Sequence, residues 1–313
     1  MALTYGQIVS TCLPYYAKKC PQLIYERNVI MDRLYSEGGI QEKAHGYDLR
    51  RPVRVKTFNQ ARFVDPDGVR STVHVETRST LQWEWKYQWN DTVLTWEEAV
   101  KNGGPQQIID LLADKLTEMM EDCHEEMAEK LYQTYSTVGS LDPDSLMSII
   151  DSSNTTYGGI SSSDCADNVP GVYSSSAISL ALFGSNSLRS LVENCSEMDT
   201  KPTMFLTTQA LEGVYASKLQ PSERRTPENG KSGATDLSFM GIPIVADPLC
   251  RSSHWLAINT DDLKFIVSDK YNFAFGAHEN DPDRMNAVRV SLSWAGAMTA
   301  AVRRSYGGYS SMS

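Results

Sequence analysis

The sequence predicts an α+β chain whose helices and strands are interleaved, and three observations predict it. Residues 82–89 read QWEWKYQW, an alternation of aromatic and polar side chains that marks a strand. From Pro105 onward apolar residues recur at every third or fourth position for about seven turns, the mark of a long half-buried helix. After residue 200 short apolar strands succeed one another, and a long alternating strand over 287–303 closes the chain.

Composition sets the bounds. The chain has 313 residues, 41% of them hydrophobic, enough for one large domain or two modest ones. Charged residues make up 22%, with ordinary Gly and Pro content, which excludes global disorder and collagen-like architecture. The 39 acids outnumber the 29 bases, for a net charge of −10. Gripping nucleic acid would call for the opposite sign. The cysteines (Cys12, Cys20, Cys123, Cys165, Cys195, Cys250) form no C-x-x-C pair and read as reduced thiols. The opening residues lack the basic and apolar regions of a signal peptide, and no apolar run approaches the ~20 residues of a membrane span. A chain made and used in a cytoplasm is expected.

In order along the chain, residues 1–47 read as an arm with a short helix over 24–34. Residues 48–90 are rich in strand signals. Val53 and Val55 mark one strand, and Asp65-Pro66-Asp67-Gly68 is a strong turn. Residues 72–77 and 81–89 form the return path. Trp83, Trp85, Tyr87 and Trp89 should share one sheet face, buried in a core or an interface. The exposed positions before them are charged: Arg50, Arg51, Arg54, Lys56, Arg62, Arg70 and Arg78. A two-stranded excursion is marginal alone in water, so this one is expected to be clamped by a partner.

Residues 97–135 contain the clearest helix, which starts near Pro105, after Asn102-Gly103-Gly104, where a missing N–H is harmless. Ile108, Ile109, Leu112, Leu116, Met119, Met120, Cys123, Met127 and Leu131 form its buried stripe. Its other face carries Asp110, Asp114, Glu118, Glu121, Asp122, Glu125, Glu126 and Glu129 against only Lys115 and Lys130. A helix of that length spans about 40 Å. Residues 138–261 open with a Ser/Thr/Asn/Gly-rich stretch (151–187) and then resume regular elements. Helices are expected over 187–194 and 208–219, the latter capped by Thr208, with a buried strand over 203–207. Strands follow at 242–246, 255–258 and 265–267. In the last strand Val288, Val290, Leu292 and Trp294 share a face, and Gly296 marks a bulge.

Motifs for chemistry fail on inspection. Asn229-Gly230-Lys231-Ser232 ends like a P-loop, but Arg225 stands where that loop needs glycine. His124-Glu125 starts like a zinc-protease helix, but Ala128 replaces the second histidine. His45, His74, His124, His254 and His278 share no local pattern with a nucleophile, and no G-x-S-x-G elbow occurs. The carboxylate pairs Asp261-Asp262 and Glu97-Glu98 are the remaining acid–base candidates. No catalytic, cofactor-binding or metal-ligating residue is assigned.

The order of parts resembles a known family. The segment from Glu37-Gly38-Gly39-Ile40 to Pro52-Val53 is similar to an arm entering an extended loop. The stretch WNDTVLTWEEAVKNG (89–103), the segment Thr156-Tyr157-Gly158-Gly159-Ile160 and the run from Lys201-Pro202-Thr203 to Thr207 are similar to three further family segments. The fullest likeness lies in FMGIPIVAD (239–247) with LAINTDDL (256–263). Together they resemble the major capsid protein of tailed bacteriophages, with its Hong Kong 97-type fold, over most of the chain. The resemblance implies an N-terminal arm (1–47), an extended loop with the aromatic strand (48–90), a peripheral domain with the spine helix (91–137), an axial domain (138–261) and return strands completing the peripheral domain (262–313).

It further implies self-assembly into the pentamers and hexamers of an icosahedral head. Such a head encloses double-stranded DNA without sequence-specific binding. Partners would be other copies, portal and scaffold or decoration proteins, and no membrane; the location would be the virion capsid, assembled in the host cytoplasm. No cofactor is implied. The loop tip (Asp65, Pro66, Asp67, Gly68) and the charges Arg54, Lys56, Arg62 and Arg70 would act between subunits. The acidic face (Asp110, Asp114, Glu118, Glu121, Asp122, Glu125, Glu129), turned inward, would repel packaged DNA. The sequence lacks the long N-terminal scaffolding segment of some relatives, which implies a separate scaffold or none. No residue pair matches a covalent cross-link, and the Ser-rich 151–187 stretch is not typical of the family. An encapsulin-type compartment, another phage structural protein and a carbohydrate-active enzyme remain as alternatives.

Deleting residues 59–70 should leave a folded subunit that no longer assembles. Particles of normal size and stability from the deleted chain, seen by electron microscopy, would refute the clamp.

Overall fold

The structure is a computed structural model that describes residues 19–43, 46–56, 63, 76–101, 105–176, 179–197, 200–219, 237–276, 279–280 and 287–312. Outside them lie the turn Asp65-Pro66-Asp67-Gly68, Arg62, Arg70, His45, His74, His278, Cys12, most of the 72–77 strand and the Asn229–Ser232 segment.

The first elements among the described residues are α1 (19–26), α2 (Val29–Ser36), β1 (Ile40–Lys43), β2 (Leu49–Arg54), β3 (Arg78–Trp83), β4 (Lys86–Leu94), α3 (Trp96–Lys101) and α4 (Pro105–Leu131). Next come α5 (Leu146–Ile150), β5 (Thr156–Tyr157), β6 (Ile160–Ser161), β7 (Val172–Ser174), α6 (Leu188–Cys195), β8 (Met204–Thr207) and α7 (Gln209–Lys218). The last are β9 (Ser238–Phe239), β10 (Ile242–Ala246), β11 (Trp255–Ile258), β12 (Lys264–Ser268), β13 (Ala274–Phe275), β14 (Glu279–Asn280), β15 (Val288–Thr299) and β16 (Gly307–Tyr309). They divide into two units, one of residues 1–47, 84–145 and 264–299, the other of 48–83, 146–263 and 300–313.

The first unit is built on β15. It pairs with β4 along one side and with β12, β13 and β14 along the other, and β1 adds to β12 in parallel. Period-two alternation buries Val290, Leu292 and Trp294 as expected. The Trp294 ring stacks on Phe265 at 5.4 Å and on Phe273 at 6.1 Å, and Tyr25 of α1 meets both phenylalanines edge-on. Gly296 is not a bulge, because its pairing with β4 runs unbroken from Val288 to Gly296. It is glycine because a Cβ there would sit 2.5 Å from the Trp294 ring and 2.7 Å from the Ile266 carbonyl. The helix expected over 24–34 is two helices. Asn28 separates them, and its side chain caps α2 by accepting from Ile30 N and Met31 N at 3.0 and 3.2 Å.

Helix α4 buries Leu112, Leu116, Met119, Met120, Cys123, Met127 and Leu131, the expected stripe from Leu112 on. The strand beside it faces the other way from expectation. The aromatic run breaks at Glu84–Trp85, so Trp83 ends β3, 6% exposed, while Tyr87 and Trp89 lie in β4, 74% and 65% exposed. Polar residues of β4 face the helix instead: Gln88 Nε2 donates to the Cys123 carbonyl at 3.1 Å and Asn90 Nδ2 to that of Met119 at 3.2 Å. The two-residue break between the strands reverses which parity points inward.

The second unit carries the sheet β7-β16-β11-β8-β10-β9. Strands β8 and β11 are buried throughout, and Phe205, Trp255, Tyr215 and Phe239 form a ring cluster between the sheet and α7. Ser187 caps α6 by accepting from Ser190 N; Thr208 stands at the cap position of α7 without a side-chain cap bond. The chain end differs from expectation. Residues 300–313 belong to this unit, with β16 set between β11 and β7. Only glycine fits at Gly307, where a Cβ would meet Cys195 Sγ at 2.5 Å.

The Ser-rich stretch is ordered from inside by Arg303. This side chain is fully buried and donates to the carbonyls of Ile149 (2.7 Å), Asn154 (2.9 Å), Asp151 (2.9 Å), Asn168 (3.0 Å) and Ser148 (3.4 Å). Several are carbonyls at the end of α5, which have no partner within their own helix. Replacing Arg303 by Met keeps the volume and removes the donors, and should lower unfolding stability by at least about 3 kcal/mol. A urea midpoint indistinguishable from that of the parent chain would show that the carbonyls are satisfied otherwise.

Candidate functional site

Strands β2 and β3 pair antiparallel from Leu49↔Trp83 to Arg54↔Arg78 and form the base of the charged hairpin. Leu49, Val53, Leu81 and Trp83 are buried on one face, while Arg50, Pro52, Arg54, Arg78, Thr80 and Gln82 are exposed on the other. The alternation follows from the sequence, since opposite partners share a face.

The seat of the buried face is the turn Tyr157-Gly158-Gly159-Ile160 between β5 and β6. Both glycines have positive φ, +58° and +78°, as a tight two-residue hairpin turn demands. Gly158 also lies too close to the hairpin for any side chain: a Cβ would meet Leu81 Cδ2 at 2.8 Å. Its carbonyl accepts from Gln82 N at 2.9 Å, and the Tyr157 ring meets Trp83 edge-on at 5.6 Å. Tyr157 is held in turn. Its hydroxyl accepts from Ala300 N at 3.1 Å, and the Arg303 guanidinium lies 5.1 Å over its ring centre.

A second anchor is ionic. Arg51 donates to the Asp262 carboxylate at 2.7 Å and to the Asp262 carbonyl at 2.8 Å. The other carboxylate oxygen accepts from Ala301 N and Val302 N, both at 2.9 Å, and from the Tyr306 hydroxyl at 3.3 Å. Burial, with this carboxylate beside it, pushes the Tyr306 phenol well up, so it stays a donor. Asp262, a candidate acid in the sequence, is thus a structural ligand for the hairpin. Arg51, expected as one exposed charge among many, is its partner. The structural roles of Tyr157 and Asp262 were not legible because their partners lie about 40 to 210 positions away along the chain.

The other carboxylate pair is also structural. Glu98 accepts from Lys115 Nζ at 2.8 and 2.9 Å and from Thr95 N at 3.1 Å, which lowers its pKa. Glu97 pairs with Lys101 at 2.5 Å. Among the described residues no group of three or more His, Cys, Asp or Glu is placed to hold a metal ion. No helix among them is long and apolar enough to cross a membrane.

Of the predicted intersubunit charges, Arg54 and Lys56 are described, and both are exposed. Burial and Glu197 push the Asp167 carboxyl up, against Arg304 and Arg54. On α4, Asp114, Glu118, Asp122, Glu125 and Glu129 are exposed, Glu121 pairs with Arg27 at 2.8 Å, and the side chain of Asp110 is outside the described residues. Among the described residues none of those five acids, and neither Arg54 nor Arg78, makes an ion pair.

No family model matches the chain, and no curated protein matches it. Solved structures do. The cyanophage A-1(L) capsid asymmetric unit is similar with a TM-score of 0.65 at 11% identity, over 87% of this chain and 90% of that one. The capsid of the native GTA particle follows at 0.61 and 9%, over 90% of both chains. The satellite phage P4 procapsid, whose structure includes a size determination protein, gives 0.52 and 10%, over 95% of this chain and 90% of that one. At such identities the likeness is one of fold. The chain has the α+β, Hong Kong 97-type fold found in these capsids.

Replacing Gly158 by Val should lift Leu81 and Trp83 and destabilise the second unit by about 1–3 kcal/mol. Amide exchange over residues 79–83 should quicken. Unchanged exchange there would mean that the turn does not hold the hairpin.

Proposed function

We propose that the chain is the major capsid protein of a tailed phage, a shell subunit that associates with its own copies into pentamers and hexamers around double-stranded DNA. The observation that carries this reading is likeness of fold to capsid subunits over about nine-tenths of both chains. The hairpin supports it. A two-stranded ribbon gains little stability from its own core, and the described base of this one is anchored within the second unit by Gly158, Tyr157 and Asp262. A ribbon that completes its burial on a neighbour couples order to assembly. In a closed shell each interface is heterologous and repeated, so many weak contacts add up.

In this reading the chain performs no catalysis and needs no cofactor. Portal and scaffold or decoration proteins are its further partners, and its place is the virion capsid, assembled in the host cytoplasm. The DNA is enclosed, not read, in keeping with a net charge of −10.

Electron microscopy of the purified chain decides the matter. Closed icosahedral particles, and DNA-filled ones from infected cells, are expected. Empty shells with enzyme cargo would instead mean a compartment protein, and a soluble monomer with turnover would overturn the proposal.

A further inference from the structure

We propose that residues 300–312 act as a closing strap, which docks on the second unit after its other parts have formed and thereby sets the hairpin base, so that a subunit assembles only once the strap is in place. The proposal rests on the shell reading and adds a control on when a subunit becomes competent.

Both anchors of the hairpin are held by the strap. Tyr157, on which Trp83 packs, is fixed by the Ala300 amide at its hydroxyl and by the Arg303 guanidinium over its ring. Asp262, the ligand of Arg51, takes the Ala301 and Val302 amides and the Tyr306 hydroxyl on its other oxygen. The strap also supplies the donors for the carbonyls of Ser148, Ile149, Asp151, Asn154 and Asn168, all through Arg303.

The rest of the strap fills a slot in the sheet. Strand β16 pairs with β11 from Trp255↔Tyr309 to Ala257↔Gly307, and with β7 from Val172↔Gly307 to Tyr309↔Ser174. Among the described residues β7 pairs with no other strand, so it joins the sheet only through the strap. Ser310 N on the Ser174 carbonyl (3.0 Å) and Met312 N on that of Ser253 (2.8 Å) pin the strap beyond β16. The slot is narrow. A Cβ at Gly307 would lie 2.8 Å from the Val172 carbonyl, and one at Gly308 would lie 2.8 Å from Leu256 Cδ2.

Chain order makes the docking late. Strands β8, β10 and β11 pair with one another within residues 204–258, and they do so without the strap. The strap's own bonds close longer loops: 143 residues separate Ala300 from Tyr157, and 154 separate Arg303 from Ile149. Longer loops cost more entropy to close, and pairings across them form more slowly. During synthesis the strap also emerges after every segment it holds. The hairpin is therefore made early and seated late, and a chain without its strap offers its neighbours no ordered hairpin.

The test follows amide exchange by labelling pulses as the full-length chain refolds out of urea, with light scattering recording particles. Residues 204–207 and 255–258 should gain protection first. Residues 49–54, 79–83 and 300–312 should follow together, and scattering should rise only after them. Protection of the hairpin base before the strap overturns the proposal, and so does scattering that rises while the strap still exchanges. Blocking the slot gives an independent reading. Gly307→Val should speed exchange over 49–54 and 79–83 at least about tenfold and raise the concentration needed for particles by a similar factor, while 204–207 exchange as in the parent. A quickened strap beside a parent-like hairpin base overturns the proposal. If that variant does not fold, the refolding order of the unaltered chain decides. Refolded chains that never form particles refute the shell reading itself, and the order of protection still decides the strap.

Discussion

A guanidinium buried without access to water must have every donor satisfied, and Arg303 meets that demand with five backbone carbonyls drawn from residues 148–168. The constraint runs outward from there. The same cation lies over Tyr157, whose ring packs on Trp83 and whose hydroxyl takes the Ala300 amide. Gly158, next in sequence, seats Leu81 and Gln82. One side chain near the end of the chain therefore orders a loop-rich stretch, and through Tyr157 it orders the base of the hairpin.

The hairpin base shows how polar chemistry can serve geometry. Asp262 has the position and hydrogen bonds of a fully committed structural carboxylate: Arg51, two backbone amides and the Tyr306 hydroxyl use both of its oxygens. Glu98 is likewise committed to Lys115 and the Thr95 amide. Asp262 in this way fixes Arg51 on the inner face of the hairpin base.

The first unit solves a different problem. Its long strand β15 is packed so tightly that Gly296 leaves room for the Trp294 ring. Helix α4 contributes an apolar stripe to that core and leaves Asp114, Glu118, Asp122, Glu125 and Glu129 exposed. The exposed aromatics Tyr87 and Trp89 are a consequence of parity, since Gln88 and Asn90 take the positions facing the helix.

The sequence by itself determined the local elements. Periodicity located α4 from Pro105 to Leu131, the buried strand β8, the strands β10 and β11, and the alternation of the hairpin, because these depend on neighbours a few residues apart. The order of those parts also carried the resemblance to a capsid fold. Only the tertiary structure decided which side of a strand is inside, why Gly296 and Gly158 are glycine, that residues 300–313 join the second unit, and that Arg51, Asp262, Tyr157 and Arg303 act together. The physical reason is distance along the chain. A break of two residues at Glu84–Trp85 reverses the facing of a whole strand. Partners separated by about 75 to 210 residues leave no periodic trace, because packing and hydrogen bonding between them are settled only when the chain has folded.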